Sequence, residues 1–258
     1  MVWFTSSLFE IDVSGVFTGF VFFSTLASYS VHWYLTDVDA EPTAGRTSWL
    51  YANKKIHFLF FLVSALGSGL FLLAEIKNFV WILPAVLLTL MYSAPKIPLP
   101  FFKRLKPHIW GKTILLAAVW AYITAALPLL ISNSAWQNDY WIFCFNRFAL
   151  IFAICILFDI RDIEHDKTIG VKSIVTLLKT HHVKIIFNIV MIGCLASGIF
   201  FGLYFYGVWV AVILLAPAVL TYFLYPKAIN TTNDYLFYVI LDGLMALTPL
   251  LYFMKSLF

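Results

Sequence analysis

The sequence predicts an all-α protein, a polytopic bundle of about eight transmembrane helices. Of its 258 residues, 62% are hydrophobic and only 12% are charged, whereas soluble globular proteins carry about 25% charged residues. A helix needs roughly 20 mainly apolar residues to cross a bilayer. Eight stretches meet this requirement, at about 14–35, 56–74, 79–95, 109–132, 140–160, 183–206, 208–225 and 235–256. We therefore expect one membrane domain over residues 1–258, in a multi-pass protein of the cell inner membrane.

Basic residues are unevenly distributed between the loops that join these stretches. Of the 17 Lys and Arg residues, 14 lie in loops one, three, five and seven, and the even-numbered loops hold only Lys77. Because Lys and Arg favour the cytoplasmic side of a membrane, the pattern predicts cytoplasmic odd-numbered loops and two external chain ends. The formal charge of +4 then reflects topology in the lipid bilayer, and we expect no nucleic-acid partner.

The most informative polar segment follows the fifth apolar stretch and contains three acids, Asp159, Asp162 and Asp166. On a continuous helix these residues would fall within roughly 60° of one another. Neighbouring carboxylates repel, so they need a counter-cation. Mg²⁺ fits this need, because it prefers oxygen ligands and completes its shell with water and phosphate oxygens. A solvated helix end, paired with nearby basic side chains, is the alternative that the spacing leaves open.

The same segment resembles the second aspartate-rich motif of the UbiA-type intramembrane prenyltransferases. That motif has Asp-x-x-Asp-x-x-x-Asp followed by a Gly, a basic residue and Ser or Thr. All its positions are filled in this chain, the last three by Gly170, Lys172 and Ser173. A second likeness is Tyr92 followed by Lys103 and Arg104, which is similar to the family's tyrosine-led basic loop.

The first aspartate-rich motif of that family matches only in part. It reads Asn-x-x-x-Asp-x-x-x-Asp, with an Arg nine residues later. The corresponding residues are Tyr29, Trp33, Asp37 and Arg46, so only the last Asp and the Arg match. The family also usually has one more helix before this motif, nine in all, where this chain has about 13 residues. We expect either a bundle of eight helices or a start upstream of Met1.

The resemblance implies an enzyme that transfers a prenyl group within the membrane. The donor would be an allylic or polyprenyl diphosphate, the acceptor a lipophilic or aromatic molecule, and the cofactor Mg²⁺, bridging the diphosphate to the acidic motifs. The implied catalytic residues and metal ligands are Asp37, Asp159, Asp162 and Asp166. The implied substrate contacts are Arg46, Tyr92, Lys103, Arg104, Arg161 and Lys172.

Two other functions are compatible with the same residues. An intramembrane terpene cyclase on the same fold would use the same acids without an acceptor, so the product formed from a labelled prenyl diphosphate would distinguish it. A non-catalytic binder or transporter of polyprenyl lipids is favoured by the altered first motif and opposed by the complete second motif.

One basic residue lies deep within a predicted helix. Arg147 is about 18 Å from Asp159 along the helix axis. A charge at that depth is costly, so we expect Arg147 to face the bundle interior and to have a partner. Asp242 is the natural candidate for an ion pair, and a contact with the substrate tail or a gating role is the alternative.

Overall fold

The computed structural model describes residues 1–35, 49, 52–93, 111–132, 135–168 and 172–257, and all regular structure in these ranges is helical. The helices are α1 (Val2–Leu8), α2 (Gly15–Tyr34), α3 (Lys54–Ala74), α4 (Phe79–Ser93), α5 (Gly111–Ala121), α6 (Leu127–Ile131), α7 (Asn138–Arg161), α8 (Ile163–Thr168), α9 (Ile174–Leu177), α10 (Thr180–Phe201), α11 (Val208–Ala228) and α12 (Asp242–Ser256). A 3₁₀ turn precedes α4 at Ile76–Asn78. Wider π-helical segments lie at Tyr122–Ala126, Gly202–Tyr206 and Leu236–Leu241.

The prediction of an all-α membrane bundle is confirmed, because each of the eight apolar stretches forms a helix in the part that the structure describes. Six segments of the described chain are long and apolar enough to cross a membrane, namely Lys54–Ala74, Lys112–Ile131, Asn138–Arg161, Thr180–Tyr206, Val208–Ala228 and Leu236–Ser256. The other two stretches correspond to α2 and to the shorter apolar segment Ile76–Tyr92. Helices satisfy their own backbone hydrogen bonds, which is what a lipid environment requires.

Contacts divide the chain into two compact units, and each is described by itself. The smaller unit comprises Val13–Lys106, and the larger one comprises Met1–Asp12 with Pro107–Phe258. In the smaller unit, α2 and α3 pack closely at two glycines. The ring of Phe71 lies against Gly19 and the ring of Phe23 lies against Gly67. Small residues at such contacts let membrane helices approach closely.

The larger unit is built around α7. Fifteen of its 24 residues are buried, and it packs against α5, α10, α11 and α12. Neighbouring helices therefore surround α7 on several sides.

The short helix α1 was not predicted from the sequence. It belongs to the larger unit, where the hydroxyl of Thr5 donates a hydrogen bond of 2.7 Å to the carbonyl of Thr124. Phe4 is 1% exposed and packs against the rings of Phe143 and Tyr252. A helix of seven residues is too short to give an apolar stretch of spanning length, so only tertiary packing reveals it.

Candidate functional site

The C-terminal end of α7 carries the first predicted metal ligand. Asp159 is 3% exposed, and the hydroxyl of Thr113 donates a hydrogen bond to its Oδ2. The ammonium of Lys112 lies 3.3 Å from its Oδ1. Lys112 and Thr113 belong to the first turn of α5, so one helix start satisfies both carboxylate oxygens. A buried carboxylate needs such pairing and hydrogen bonding to be stable.

Asp162 lies at the turn between α7 and α8. It is the one residue between the two helices, with φ −89° and ψ 3°. Its carboxylate accepts hydrogen bonds from Arg161, at 2.7 Å from Nε and at 3.1 Å from Nη2. Its side chain is 33% exposed, against 5% for the side chains of Asp159 and Asp166. Of the three acids, Asp162 is therefore the most accessible to a ligand.

Asp166 is brought back towards Asp159 by the turn of α8. Its backbone N–H donates a 2.8 Å hydrogen bond to the carbonyl of Asp162. Its Oδ2 accepts a 2.8 Å hydrogen bond from Nζ of Lys112. A single ammonium therefore bridges Asp159 and Asp166, which lie seven positions apart in the sequence.

The prediction that the three acids share one helical face stays a prediction. The chain turns at Asp162, between α7 and α8, and the carboxylate of Asp162 pairs with Arg161. Asp159 and Asp166 meet at Lys112, whereas Asp162 pairs with Arg161. Within the described ranges, no three His, Cys, Asp or Glu side chains are grouped so that they could hold a metal ion.

Arg161 is fixed by aromatic rings as well as by Asp162. Its guanidinium carbon lies 5.1, 4.8 and 4.6 Å from the ring centroids of Phe158, Phe237 and Tyr238. Its Nη2 also donates a 2.8 Å hydrogen bond to the hydroxyl of Tyr238. Cation–π attraction and the hydrogen bonds together hold the guanidinium. Arg161, predicted as a substrate contact, thus also orients Asp162.

The last two positions of the motif have different surroundings. Lys172 is exposed, whereas Ser173 is fully buried and begins α9. Its hydroxyl accepts a hydrogen bond from the N–H of Thr176, and the Thr176 hydroxyl accepts one from the N–H of Ser173. This reciprocal capping box stabilises the helix start. Ser173 therefore turns the chain, while Lys172 keeps a solvent-facing ammonium beside that turn.

The other predicted residues belong to the smaller unit or lie outside the described residues. Tyr92, near the end of α4, stacks on His32, near the end of α2, with ring centroids 5.6 Å apart and planes 15° apart. Tyr29 and Trp33 occupy the last two turns of α2, so the first motif begins at a helix end as predicted. Four predicted residues lie outside the described ranges, namely Asp37, Arg46, Lys103 and Arg104.

Lys112 and Thr113 are site residues that the sequence reasoning did not select. The charge count treats Lys112 as one more basic residue of loop three. A signal is present, since a cation in the first turn of a helix opposes the helix dipole and calls for an acidic partner. The sequence does not say which acid, because only packing brings the start of α5 to the end of α7.

Arg147 is buried in the larger unit, as predicted, with 2% of its surface exposed. Its guanidinium donates hydrogen bonds to the hydroxyl of Thr248 at 3.0 Å and to the carbonyl of Met245 at 3.1 Å. Both partners lie on α12, the helix that begins with Asp242. The ion pair between Arg147 and Asp242 stays a prediction.

The fold and this cluster are those of a multi-pass helical membrane protein in which acidic and basic side chains meet at the ends of helices. The chain belongs to the UbiA prenyltransferase family, whose model matches residues 6–236. The matched range contains both aspartate-rich segments and the cluster around Lys112. No curated protein and no solved structure matches the chain. Family membership associates the chain with prenyl transfer within the membrane.

Proposed function

We propose that this protein is a Mg²⁺-dependent prenyltransferase that joins a prenyl group from an allylic or polyprenyl diphosphate to a lipophilic or aromatic acceptor. The observation that carries the proposal is a complete second aspartate-rich motif in a chain of this family. In the reaction, the bond between C1 of the prenyl chain and the diphosphate oxygen breaks. A bond from C1 to the acceptor forms, and the acceptor loses a proton.

The acids of the cluster fit a Mg²⁺ ion by their chemistry. Mg²⁺ binds through one or two carboxylates and keeps water and phosphate oxygens as its other ligands. Asp162 has the most exposed carboxylate, and Asp166 is the next acid of the motif. We assign the main ligand role to these two residues and a supporting role to Asp159, whose oxygens face α5. When bound, the ion would neutralise charge that develops on the leaving diphosphate.

Basic side chains have a complementary role in this proposal. Arg161 and Lys172 border the second motif. In the sequence, Arg46 follows α2, which ends near His32, and Lys103 and Arg104 follow α4, which ends near Tyr92. Positive groups placed where charge develops lower the barrier to departure of the diphosphate. Asp37 is the remaining acid of the first motif, and we assign it a secondary part in metal binding.

Turnover by the purified protein tests the proposal. Incubated in lipid nanodiscs with a panel of labelled allylic diphosphates and candidate acceptors, the protein should release diphosphate and form a prenylated acceptor. Both products should require Mg²⁺ and disappear with a chelator. A labelled hydrocarbon or alcohol formed without an acceptor would instead indicate a cyclase. Mg²⁺-dependent retention of prenyl phosphates without any product would indicate a binder.

We expect the second motif to lie on the cytoplasmic side, because the basic residues concentrate in the odd-numbered loops. In a background with the three native cysteines replaced by alanine, we expect an external maleimide to label Lys77→Cys in intact cells. Lys167→Cys should react only after the membrane is permeabilised. Both positions are exposed, so a difference in labelling reports sidedness. Immediate labelling of Lys167→Cys from outside would contradict the topology.

A further inference from the structure

The ammonium of Lys112 occupies the position of a counter-ion between two acids of the motif. It lies 3.3 Å from Oδ1 of Asp159 and 2.8 Å from Oδ2 of Asp166. The two carboxylates are 5% exposed and the Lys112 side chain is 25% exposed. The acids are therefore more deeply buried than the cation that joins them.

Two cations already pair with the acids of the motif. Lys112 pairs with Asp159 and Asp166, and Arg161 pairs with Asp162 and, at 3.9 Å, with Asp234. Free Mg²⁺ therefore meets carboxylates that already have cationic partners. This pre-neutralisation weakens the attraction that the acids exert on a divalent ion.

A metal ion and the Lys112 ammonium compete for the carboxylate of Asp166. Mg²⁺ binds carboxylate oxygens at about 2.0–2.1 Å, so an ion on Asp166 would lie close to an ammonium that is itself 2.8 Å from that side chain. Repulsion between the two cations is strong at such separations. Lys112 has a flexible stem and a compact charge, whereas Asp159 is also anchored by Thr113. The mobile partner is therefore Lys112.

We propose that Lys112 is a built-in counter-ion that competes with Mg²⁺ for Asp166 and moves onto the substrate diphosphate when metal and diphosphate bind together. This inference rests on the proposed function and specifies how binding of the metal and binding of the diphosphate depend on each other. Free metal binds weakly to the protein. The metal and the diphosphate bind cooperatively, because the diphosphate accepts the ammonium that the metal displaces.

Metal binding without turnover tests this role. We expect Lys112→Met, which keeps the side-chain length and removes the charge, to bind Mn²⁺ alone about tenfold or more tightly than the wild type. Mn²⁺-dependent binding of inorganic diphosphate should weaken by a similar factor, because its cationic partner is lost. Both affinities can be measured by electron paramagnetic resonance of free Mn²⁺ and by calorimetry on the full chain. Lys112→Gln, which retains a hydrogen-bond donor, should show the same two changes if Lys112→Met folds poorly.

Lys167→Met is the matched control, because it removes the same charge from α8, the helix that carries Asp166, where Lys167 pairs with the exposed Glu164 at 3.1 Å. It should change both affinities less than about threefold, as expected for a solvent-screened charge. Unchanged or weaker Mn²⁺ binding by both Lys112 variants would overturn the inference, even if prenyl transfer is observed. Tighter Mn²⁺ binding by these variants in a protein without prenyl transfer would instead support the counter-ion role and contradict the proposed reaction.

Discussion

Replacing Asp166 or Asp162 by asparagine is expected to lower the rate of prenyl transfer by at least about 100-fold, the scale on which loss of an electrostatic stabilising group acts in enzymes. Each change removes a negative charge from the proposed Mg²⁺ site and preserves the size of the side chain. The measurement is the initial rate of acceptor prenylation at saturating diphosphate, over a range of Mg²⁺ concentrations. The Mg²⁺ concentration for half-maximal rate should also rise.

Glu164→Gln is the matched control for these two substitutions. Glu164 lies between Asp162 and Asp166 in the sequence, but its exposed side chain pairs with Lys167. It should retain a rate near that of the wild type. Asp37→Asn should lower the rate less than either change in the second motif, because Tyr29 and Trp33 stand at the other two positions of the first motif.

A normal rate in the variant that carries both Asp162→Asn and Asp166→Asn would show that the proposed mechanism is wrong. Thermal unfolding of each variant in the same detergent separates a loss of chemistry from a loss of fold. We expect small changes in the unfolding temperature for Asp162→Asn, since its carboxylate is one-third exposed and asparagine still accepts a hydrogen bond from Arg161.

Gly202→Ala is expected to destabilise the larger unit by about 1–3 kcal/mol or more, the usual cost of forcing an added methyl group into a packed interior. Gly202 begins the π-helical segment between α10 and α11. A Cβ atom at this position would lie 2.4 Å from both the N and the Cα atom of Ala211. These are backbone atoms, so the clash can be relieved only by moving α10 and α11 apart. The change should appear as a lower unfolding temperature in detergent.

Gly243→Ala provides the control for an added methyl group in the same unit. Gly243 lies within α12, and apart from its chain neighbours and the backbone of its own helix no atom lies within 4 Å of the added Cβ position. Alanine is favoured over glycine inside a helix by roughly 0.5–1 kcal/mol, so this variant should be as stable as the wild type or slightly more stable. Equal losses of stability in both variants would contradict the close approach of Gly202 to Ala211.

The altered first motif changes how much each of the two motifs would contribute to metal binding. Tyr29 and Trp33 replace an amide and a carboxylate at the end of α2, and the ring of His32 stacks on Tyr92 there. Aromatic rings offer no hard oxygen ligand, but they pack well beside a prenyl chain and can shelter positive charge that develops on it. We therefore expect metal binding to depend mainly on the second motif.

The membrane class, the eight helical stretches and the position of the acidic motif were predictable from the sequence. Each depends on local composition, since an apolar run of about 20 residues has few folded states other than a membrane helix. The acidic motif could be identified because charged residues next to an apolar run are costly and therefore rare, so their presence indicates a functional site. The partners of those acids could not be located in the same way.

Tertiary structure alone decided how the charges are paired. Asp162 pairs with Arg161, whereas Asp159 and Asp166 meet at Lys112, and helical periodicity does not reveal this division of partners. The bridge from Lys112 to Asp159 and Asp166 spans 47 and 54 positions of the sequence. It forms because α5 packs against α7, and many loop cations were equally plausible partners before that packing was known. The sequence determined which residues lie at the membrane boundary, and packing determined which of them meet, because ion pairs depend on distances that a linear order does not contain.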